Sequence, residues 1–204
     1  IFVDRSEGIN YEDFGELLKH VNKEVCSVFD ASQYLTNIIF HQFTSPFDMG
    51  FDIVLSTLHK NFPGPQKALV CSRENSSYWE RIQKGMSDYV SSLHVENVLY
   101  AGEILRHSNL LKQYSEIMLE NSICLERYLH EEKIPVVLKN PNGKPTHHMW
   151  INMNSQEKSY SFYKDMETCN ILVNYRKLPY NLGYGIRMGT AAATLQGLNP
   201  NRCK

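Results

Sequence analysis

The residues with the clearest chemical potential stand in the run Ser56-Thr57-Leu58-His59-Lys60-Asn61-Phe62-Pro63-Gly64-Pro65, where a lysine follows a histidine and a Pro-Gly-Pro segment closes the stretch. The residues before it, Phe51-Asp52-Ile53-Val54-Leu55-Ser56-Thr57, are short, apolar and rich in β-branched side chains, which predicts a buried strand. Pro63-Gly64-Pro65 excludes a helix directly afterwards and predicts a sharp turn. Lys60 is thereby expected at a strand end with its stem against apolar walls. Lost hydration disfavours the ammonium form, and the free amine is a nucleophile toward carbonyls. The chemistry that suits it is a Schiff base, most simply with the aldehyde of pyridoxal phosphate. A lysine ahead of a turn is far more often an ordinary surface group, so Lys60 by itself decides nothing.

Two other residues could share its chemistry. Val25-Cys26-Ser27-Val28-Phe29 is expected to be a buried strand whose carboxyl end presents Asp30, and ligands of open α/β sheets gather at that edge. Asp30 and Lys60 are therefore expected on the same edge. A carboxylate there needs a cation or hydrogen-bond donors; the plainer alternative is an Asx-turn or helix cap with Ala31-Ser32. Arg187 lies between Gly185 and Gly189, where backbone bulk is small and its planar fork can meet a carboxylate in two parallel hydrogen bonds. A surface ion pair is the common alternative for such an arginine.

Taken together, these segments resemble one family. Thr57-Leu58-His59-Lys60 running into Gly64-Pro65 is similar to the cofactor-lysine segment of the serine hydroxymethyltransferases, pyridoxal-phosphate enzymes of fold type I. Phe29-Asp30-Ala31-Ser32, thirty residues ahead of Lys60, resembles that family's strand-end aspartate, and Gly185-Ile186-Arg187-Met188-Gly189-Thr190 its Gly-x-Arg-x-Gly-Thr segment. The resemblance spans most of the chain and starts inside the family's large domain, so the chain is expected to be the second half of a longer enzyme. It implies an α/β protein of the PLP-dependent transferase fold type I: part of the large mixed-sheet domain over 1–105, then a small C-terminal α/β domain over 106–204. It also implies roles. Lys60 holds pyridoxal phosphate, with His59 and Thr57 beside it as catalytic residues. Asp30 faces the pyridine nitrogen, Ser32, Gln33 and Thr57 contact the cofactor, and Arg187 grips the substrate carboxylate. Ser92 and His94 stand in Ser87-Asp88-Tyr89-Val90-Ser91-Ser92-Leu93-His94, where the family carries a glycine-rich phosphate loop. Because family enzymes build each site from two subunits, a homodimer is expected.

The departures from the family pattern bear on the reaction. Gln33 stands where the hydroxymethyltransferases carry histidine, and Gln66-Lys67-Ala68 where they carry an arginine and two glycines. A glutamine can hydrogen-bond the ring oxygen or a carboxylate but carries no proton at neutral pH. The expectation is a folate-independent enzyme of the L-threonine aldolase or transaldolase type. It would cleave threonine or a similar β-hydroxy amino acid through a glycyl carbanion and hand the glycyl unit to another aldehyde. The alternatives are folate-dependent serine/glycine hydroxymethyl transfer and, in another class, a non-catalytic half or partner subunit.

The elements that must position these residues come from composition and pattern. The 204 residues, 42% of them hydrophobic, carry 21 basic and 22 acidic groups for a net charge of −1. No global field would recruit nucleic acid or an anionic membrane, and no apolar run is long enough for a membrane span. Cysteines 26, 71, 124, 169 and 203 form no Cys-x-x-Cys pair, which points to reduced thiols in a cytoplasmic protein. A helix is expected to open at Tyr11-Glu12 and end near residue 22, with a strand over 66–72 and a short helix over 76–84. A long helical region over 97–132 breaks at His107-Ser108-Asn109 and buries a face with Leu99, Ile104, Leu105, Leu111, Tyr114 and Met118. Strands are expected over 135–138, 149–153 and 171–174, with Asn140-Pro141-Asn142-Gly143 as the first turn and a helix over 159–168. His147 and His148 are expected on opposite faces of a strand, a poor metal pair.

Overall fold

In the computed structural model, which describes residues 2–4, 13–22, 24–74, 76–137, 146–178 and 181–203, the chain divides into two units, residues 1–113 and 114–204. The first unit is built on β1 (Phe2–Asp4), α1 (Asp13–Leu18), β2 (Val28–Asp30), α2 (Leu35–Ile39), β3 (Ile53–His59) and β4 (Pro63–Ser72). The sheet order is β1-β2-β3-β4. The first three strands run parallel and β4 returns antiparallel beside β3. Parallel neighbours require a crossover, and α1 and α2 lie in those two connections. Phe29 of β2 is fully buried, in edge-to-face contact with Phe14 and Phe51 at centroid separations of 6.5 and 5.2 Å, the geometry that ring quadrupoles favour.

Several element ends differ from expectation for identifiable reasons. β2 begins at Val28 because Ser27 is held by Asp52: the Ser27 N–H and hydroxyl both donate to Asp52 Oδ2, at 2.8 and 2.7 Å. Val25 is exposed. The turn after β3 is not Pro63-Gly64-Pro65 but residues 60–62, and β4 starts at Pro63. Proline is tolerated there because it is the first residue of an edge strand and need not donate to the ladder. Thr57 pairs with Ala68 and His59 with Pro63, so Leu58 alone opposes residues 64–67 in a bulge. Gly64 fits that bulge because a Cβ would lie 2.8 Å from both Leu58 O and the Phe62 ring.

β4 leads to α3 (Trp79–Tyr89) and α4 (Val95–Arg106), and α4 packs on β4. The helical break falls at His107, where expected, and α5 (Ser108–Glu131) follows. Leu99 and Leu105, expected in the core, are exposed, while Ala101 is buried. Apolar residues run almost all round α4, so periodicity could not select the stripe that meets β4.

The second unit contains β5 (His148–Ile151), α6 (Gln156–Thr168), β6 (Asn174–Lys177), β7 (Tyr184–Gly189) and α7 (Ala191–Leu195). Its antiparallel sheet has the order β5-β7-β6, and α6 packs against β6 and β7. Val136, Met149, Ile151 and Ile186 form its core. Ser155 caps α6, its Oγ accepting from Lys158 N–H at 3.1 Å. The strand expected over 135–138 is a single bridge from Val136 to Ile151 among the described residues. Leu138, the turn at 140–143 and the helix start at Tyr11-Glu12 lie outside them. The strand expected over 171–174 begins only at Asn174: Asn170 adopts φ 58° and Ile171 N–H returns to Met166 O at 2.9 Å, so these residues finish α6. The His147 and His148 rings lie together, with centroids 3.9 Å apart, because His147 precedes β5 and escapes its alternation. Among the described residues no helix is long and apolar enough to cross a membrane, and no three His, Cys, Asp or Glu side chains cluster as metal ligands.

Candidate active site

The ends of β2 and β3 come together because the two strands pair in parallel, Asp30 opposite Leu55. The ladder continues one residue past β2, where Ala31 N–H donates to Leu55 O at 2.7 Å. The chain then turns sharply. Asp30 Oδ1 accepts from Ser32 N–H at 2.9 Å and from the Ser32 hydroxyl at 2.5 Å. Ser32 Oγ in turn accepts from Thr57 N–H at 3.1 Å. One hydroxyl thus links the carboxylate that ends β2 to the backbone of β3. The Asx-turn weighed as an alternative for Asp30 is present, and it leaves the second oxygen open: Asp30 Oδ2 takes no hydrogen bond from the described residues.

Thr57 supplies a second unmatched atom. Its Oγ1 is buried and has no hydrogen-bond partner among the described residues. A buried hydroxyl left unpaired costs about 1–3 kcal/mol, and such groups in folded proteins call for an explanation such as a bound molecule. An unpartnered carboxylate oxygen and an orphaned hydroxyl, both near the carboxyl ends of parallel strands, fit a polar aromatic ring with a cationic nitrogen.

His59 ends β3, and Lys60 opens the turn to β4; both are exposed. Among the described residues no apolar walls cover the Lys60 stem, because the lysine leaves the sheet at the strand end. Its position is nevertheless braced. The next residue, Asn61, is fully buried: its Oδ1 accepts from Thr36 N–H at 2.7 Å, its Nδ2 donates to Asn37 Oδ1 at 2.9 Å, and its carbonyl accepts from the Thr36 hydroxyl at 3.1 Å. Phe62 behind it is also buried. Lys60 therefore projects from a turn fixed to α2 on one side and, through Thr57 and Ser32, to Asp30 on the other. Sequence reasoning missed Asn61; the available signal was a polar amide between the lysine and a buried aromatic.

Other expected residues of this unit make no hydrogen bond to this corner among the described residues. Gln33 is half-buried in the turn after Asp30. Ser92 and His94 are exposed at the start of α4, where Ser92 Oγ accepts from His94 N–H at 3.3 Å and His94 Nδ1 lies 3.3 Å from Glu96 Oε1. No hydrogen bond or ion pair among the described residues joins them to Asp30, Ser32, Thr57 or Lys60. Lys67, the other lysine near the Gly-Pro segment, donates its ammonium to Leu93 O.

Arg187 belongs to the second unit, half-buried at the middle of the central strand β7, opposite Trp150 and Asn174. Its flanking glycines answer to packing. A Cβ on Gly185 would lie 2.4 Å from Ile151 O and 2.5 Å from Leu178 Cδ1, and one on Gly189 would lie 2.7 Å from His148 Cδ2. Thr190, next in the same motif, donates its buried hydroxyl to Met118 O at 2.7 Å and so fixes the end of β7 to α5.

Known proteins are similar to this chain over nearly its whole length. It is 25% identical over 198 residues to serine hydroxymethyltransferase of Thermoplasma acidophilum, covering 93% of this chain and 46% of that protein. It is 24% identical over 206 residues to an L-threonine:uridine-5'-aldehyde transaldolase of a Streptomyces species, covering 98% of this chain and 48% of the relative. The crystal structure of L-threonine transaldolase from Pseudomonas fluorescens superposes with a TM-score of 0.90 at 21% identity, covering 99% of this chain and 47% of that one. No family model matches the chain. It spans about half the length of the relatives it matches, roughly their C-terminal half. The fold is accordingly that of the fold-type I pyridoxal-phosphate transferases, part of the large mixed-sheet domain followed by a small α/β domain, and the chain is similar to the serine hydroxymethyltransferase group.

Proposed function

We propose that the chain carries the lysine-bearing half of a pyridoxal-phosphate site that acts on β-hydroxy amino acids by aldol-type chemistry, in the manner of an L-threonine aldolase or transaldolase. The observation that carries this reading is the corner at the ends of β2 and β3. There Asp30 is held through Oδ1 with Oδ2 open, and the buried Thr57 hydroxyl has no partner among the described residues. In this reading Asp30 Oδ2 meets the protonated ring nitrogen, Thr57 Oγ1 a polar group of the cofactor, and Lys60 presents the amine that holds it. Bound there, pyridoxal phosphate would supply an electron sink for a carbanion at the substrate Cα. Ser32 fixes the Asp30 carboxylate so that its charge is oriented before the ring arrives. His59, beside Lys60, is placed to exchange a proton at the exposed end of β3, and Gln33 to hydrogen-bond the ring oxygen or a carboxylate. Arg187 would take the α-carboxylate of the amino acid in a bidentate contact. Ser92 and His94 are assigned to the phosphate.

Folate-dependent serine/glycine hydroxymethyl transfer is the alternative, supported by relatives that bear that name. Gln33 and Gln66 favour the folate-independent reaction, since each stands where that group has a side chain able to carry positive charge. The exposure of His59 and Lys60 supports a third reading, a non-catalytic half or partner subunit. A homodimer in the cytoplasm goes with the enzymatic readings.

The experiment begins with the full-length protein and pyridoxal phosphate. Borohydride trapping followed by peptide mapping is expected to place the pyridoxyl group on Lys60; a label on Lys67, or none, overturns the site. Threonine is then offered with a panel of aldehydes, with and without tetrahydrofolate. Acetaldehyde release without folate is expected. Conversion of serine to glycine only with folate, and no acetaldehyde from threonine, would leave the site standing and discard the transaldolase reading.

A further inference from the structure

The second unit brings two of the five cysteines onto one patch. Cys124 lies on α5 and Cys203 just after the 3-10 turn Pro200–Arg202. Cys124 Sγ is 3.4 Å from Pro200 O, and Cys203 Sγ is 3.6 Å from both Asn199 O and Asn121 Oδ1. Asn121 stands one helical turn before Cys124, and its Nδ2 donates to Thr194 Oγ1 and Leu198 O, each at 2.9 Å. The segment from Thr194 to Cys203 is therefore already strapped to α5 around the two sulfurs, with Cys203 Sγ against Asn121, one turn of α5 before Cys124, and Cys124 Sγ against Pro200, three residues before Cys203. Both side chains are only partly buried, so a small reagent can reach them. Arg127 Nη2 donates to Cys124 Sγ at 3.7 Å and sets a cation beside that sulfur.

We propose that Cys124 and Cys203 form a thiol pair that closes reversibly to an intramolecular disulfide by exchange with a low-molecular-weight disulfide such as oxidised glutathione. The Cys124 thiolate, facing Arg127, attacks one glutathione sulfur, breaks the S–S bond and expels the first glutathione thiolate. Cys203 then gives up its proton, its sulfur attacks the Cys124 sulfur of the mixed disulfide, and the second glutathione leaves as the thiol. The net change is one small disulfide reduced to two thiols and two protein thiols oxidised to one disulfide. The Arg127 guanidinium beside Cys124 Sγ makes Cys124 the attacking residue and Cys203 the resolving one. The closed bridge ties the segment that follows α7 covalently to α5 and holds the Asn121 hydrogen bonds in place.

The test uses the full chain in glutathione buffers of graded redox poise, with free thiols then alkylated and tryptic peptides mapped. The expected result is loss of two of the five thiols and a linked pair of peptides containing Cys124 and Cys203. Dilution into excess reduced glutathione should restore both. Cys203→Ser is expected to accumulate one glutathione on Cys124, Cys124→Ser to form no internal bridge, and Cys169→Ser to bridge like the parent. Glutathione adducts without a linked peptide, a bridge to another cysteine, or five free thiols in the most oxidising buffer would each overturn the proposal.

Discussion

At the ends of β2 and β3, polar side chains commit their hydrogen-bonding capacity to one another and leave two atoms over. In β7, by contrast, glycines set the strand so closely against β5 and Leu178 that no side chain could enter. Both regions hold a residue proposed to meet the amino acid or its cofactor, Lys60 in one and Arg187 in the other. They should fail differently. A hydrogen-bonded corner loses a bounded amount with each partner removed, because water or a neighbour takes up part of the deficit. A strand in contact with backbone cannot relax without moving its neighbour, so a single methyl there should disturb the sheet.

The largest expected effect therefore lies in the second unit. Gly185→Ala would push a Cβ to 2.4 Å from the Ile151 carbonyl, a backbone atom of the adjacent strand. A loss of about 3 kcal/mol is expected by the usual cost of overpacking. Gly102→Ala is the matched control, since nothing lies within 4 Å of a Cβ on that helical glycine; it should gain roughly 0.5–1 kcal/mol from helix propensity. Denaturant unfolding of the two variants checks both signs. Equal midpoints would remove the packing explanation for the glycines around Arg187.

Next comes Asn61→Ala. It removes the acceptor of the Thr36 N–H and one donor to the Asn37 amide oxygen in a buried setting, which should cost about 2 kcal/mol. Asn61→Asp restores an acceptor for Thr36 but buries a carboxylate against the Asn37 amide oxygen, so it should cost more than Asn61→Ala. If Asn61→Ala unfolds with the parent yet loses borohydride trapping at Lys60, the residue positions the lysine without stabilising the unit, and the contrast between the two regions sharpens.

Much of the fold was legible because the strands of the first unit are short β-branched runs and the helical break at His107 carries its own signal. Strand ends were less legible, since they depend on pairs far apart in the chain. The start of β2 is set by Ser27 meeting Asp52, and the Lys60 turn by Asn61 meeting Thr36 and Asn37. No local pattern announces such pairs. Asp30, Ser32, Thr57 and Lys60 stand out in sequence because their spacing resembles a known motif, and the structure links the first three. Gly185 and Gly189 suggest room for a ligand, but a glycine needed for close packing looks the same in sequence as one needed for close approach. The stem of Lys60 is expected against apolar walls because the lysine follows an apolar strand, and its exposure shows that the strand's own pattern does not tell what stands beyond its end.

The smallest expected effect tests the first region most closely, because its sign depends on whether the Thr57 hydroxyl has a partner. Thr57→Val exchanges that hydroxyl for a methyl of nearly the same shape. With Oγ1 buried and unpaired in the protein alone, the change removes a desolvated polar atom at no cost in hydrogen bonds, so stability without cofactor should hold or rise by up to about 1 kcal/mol. The N–H of residue 57 still donates to Ser32 Oγ, so the turn at Asp30 should persist. If the hydroxyl serves pyridoxal phosphate, affinity for the cofactor should fall by roughly fivefold to tenfold, the equivalent of one neutral hydrogen bond. Thermal unfolding measured with and without added pyridoxal phosphate reads both quantities on one sample, because ligand stabilisation grows with affinity. A variant less stable than the parent without cofactor would show that Oγ1 has a protein partner. A variant equally stable without cofactor, and equally stabilised by it, would remove Thr57 from the cofactor's contacts and leave Asp30 and Lys60 to hold it.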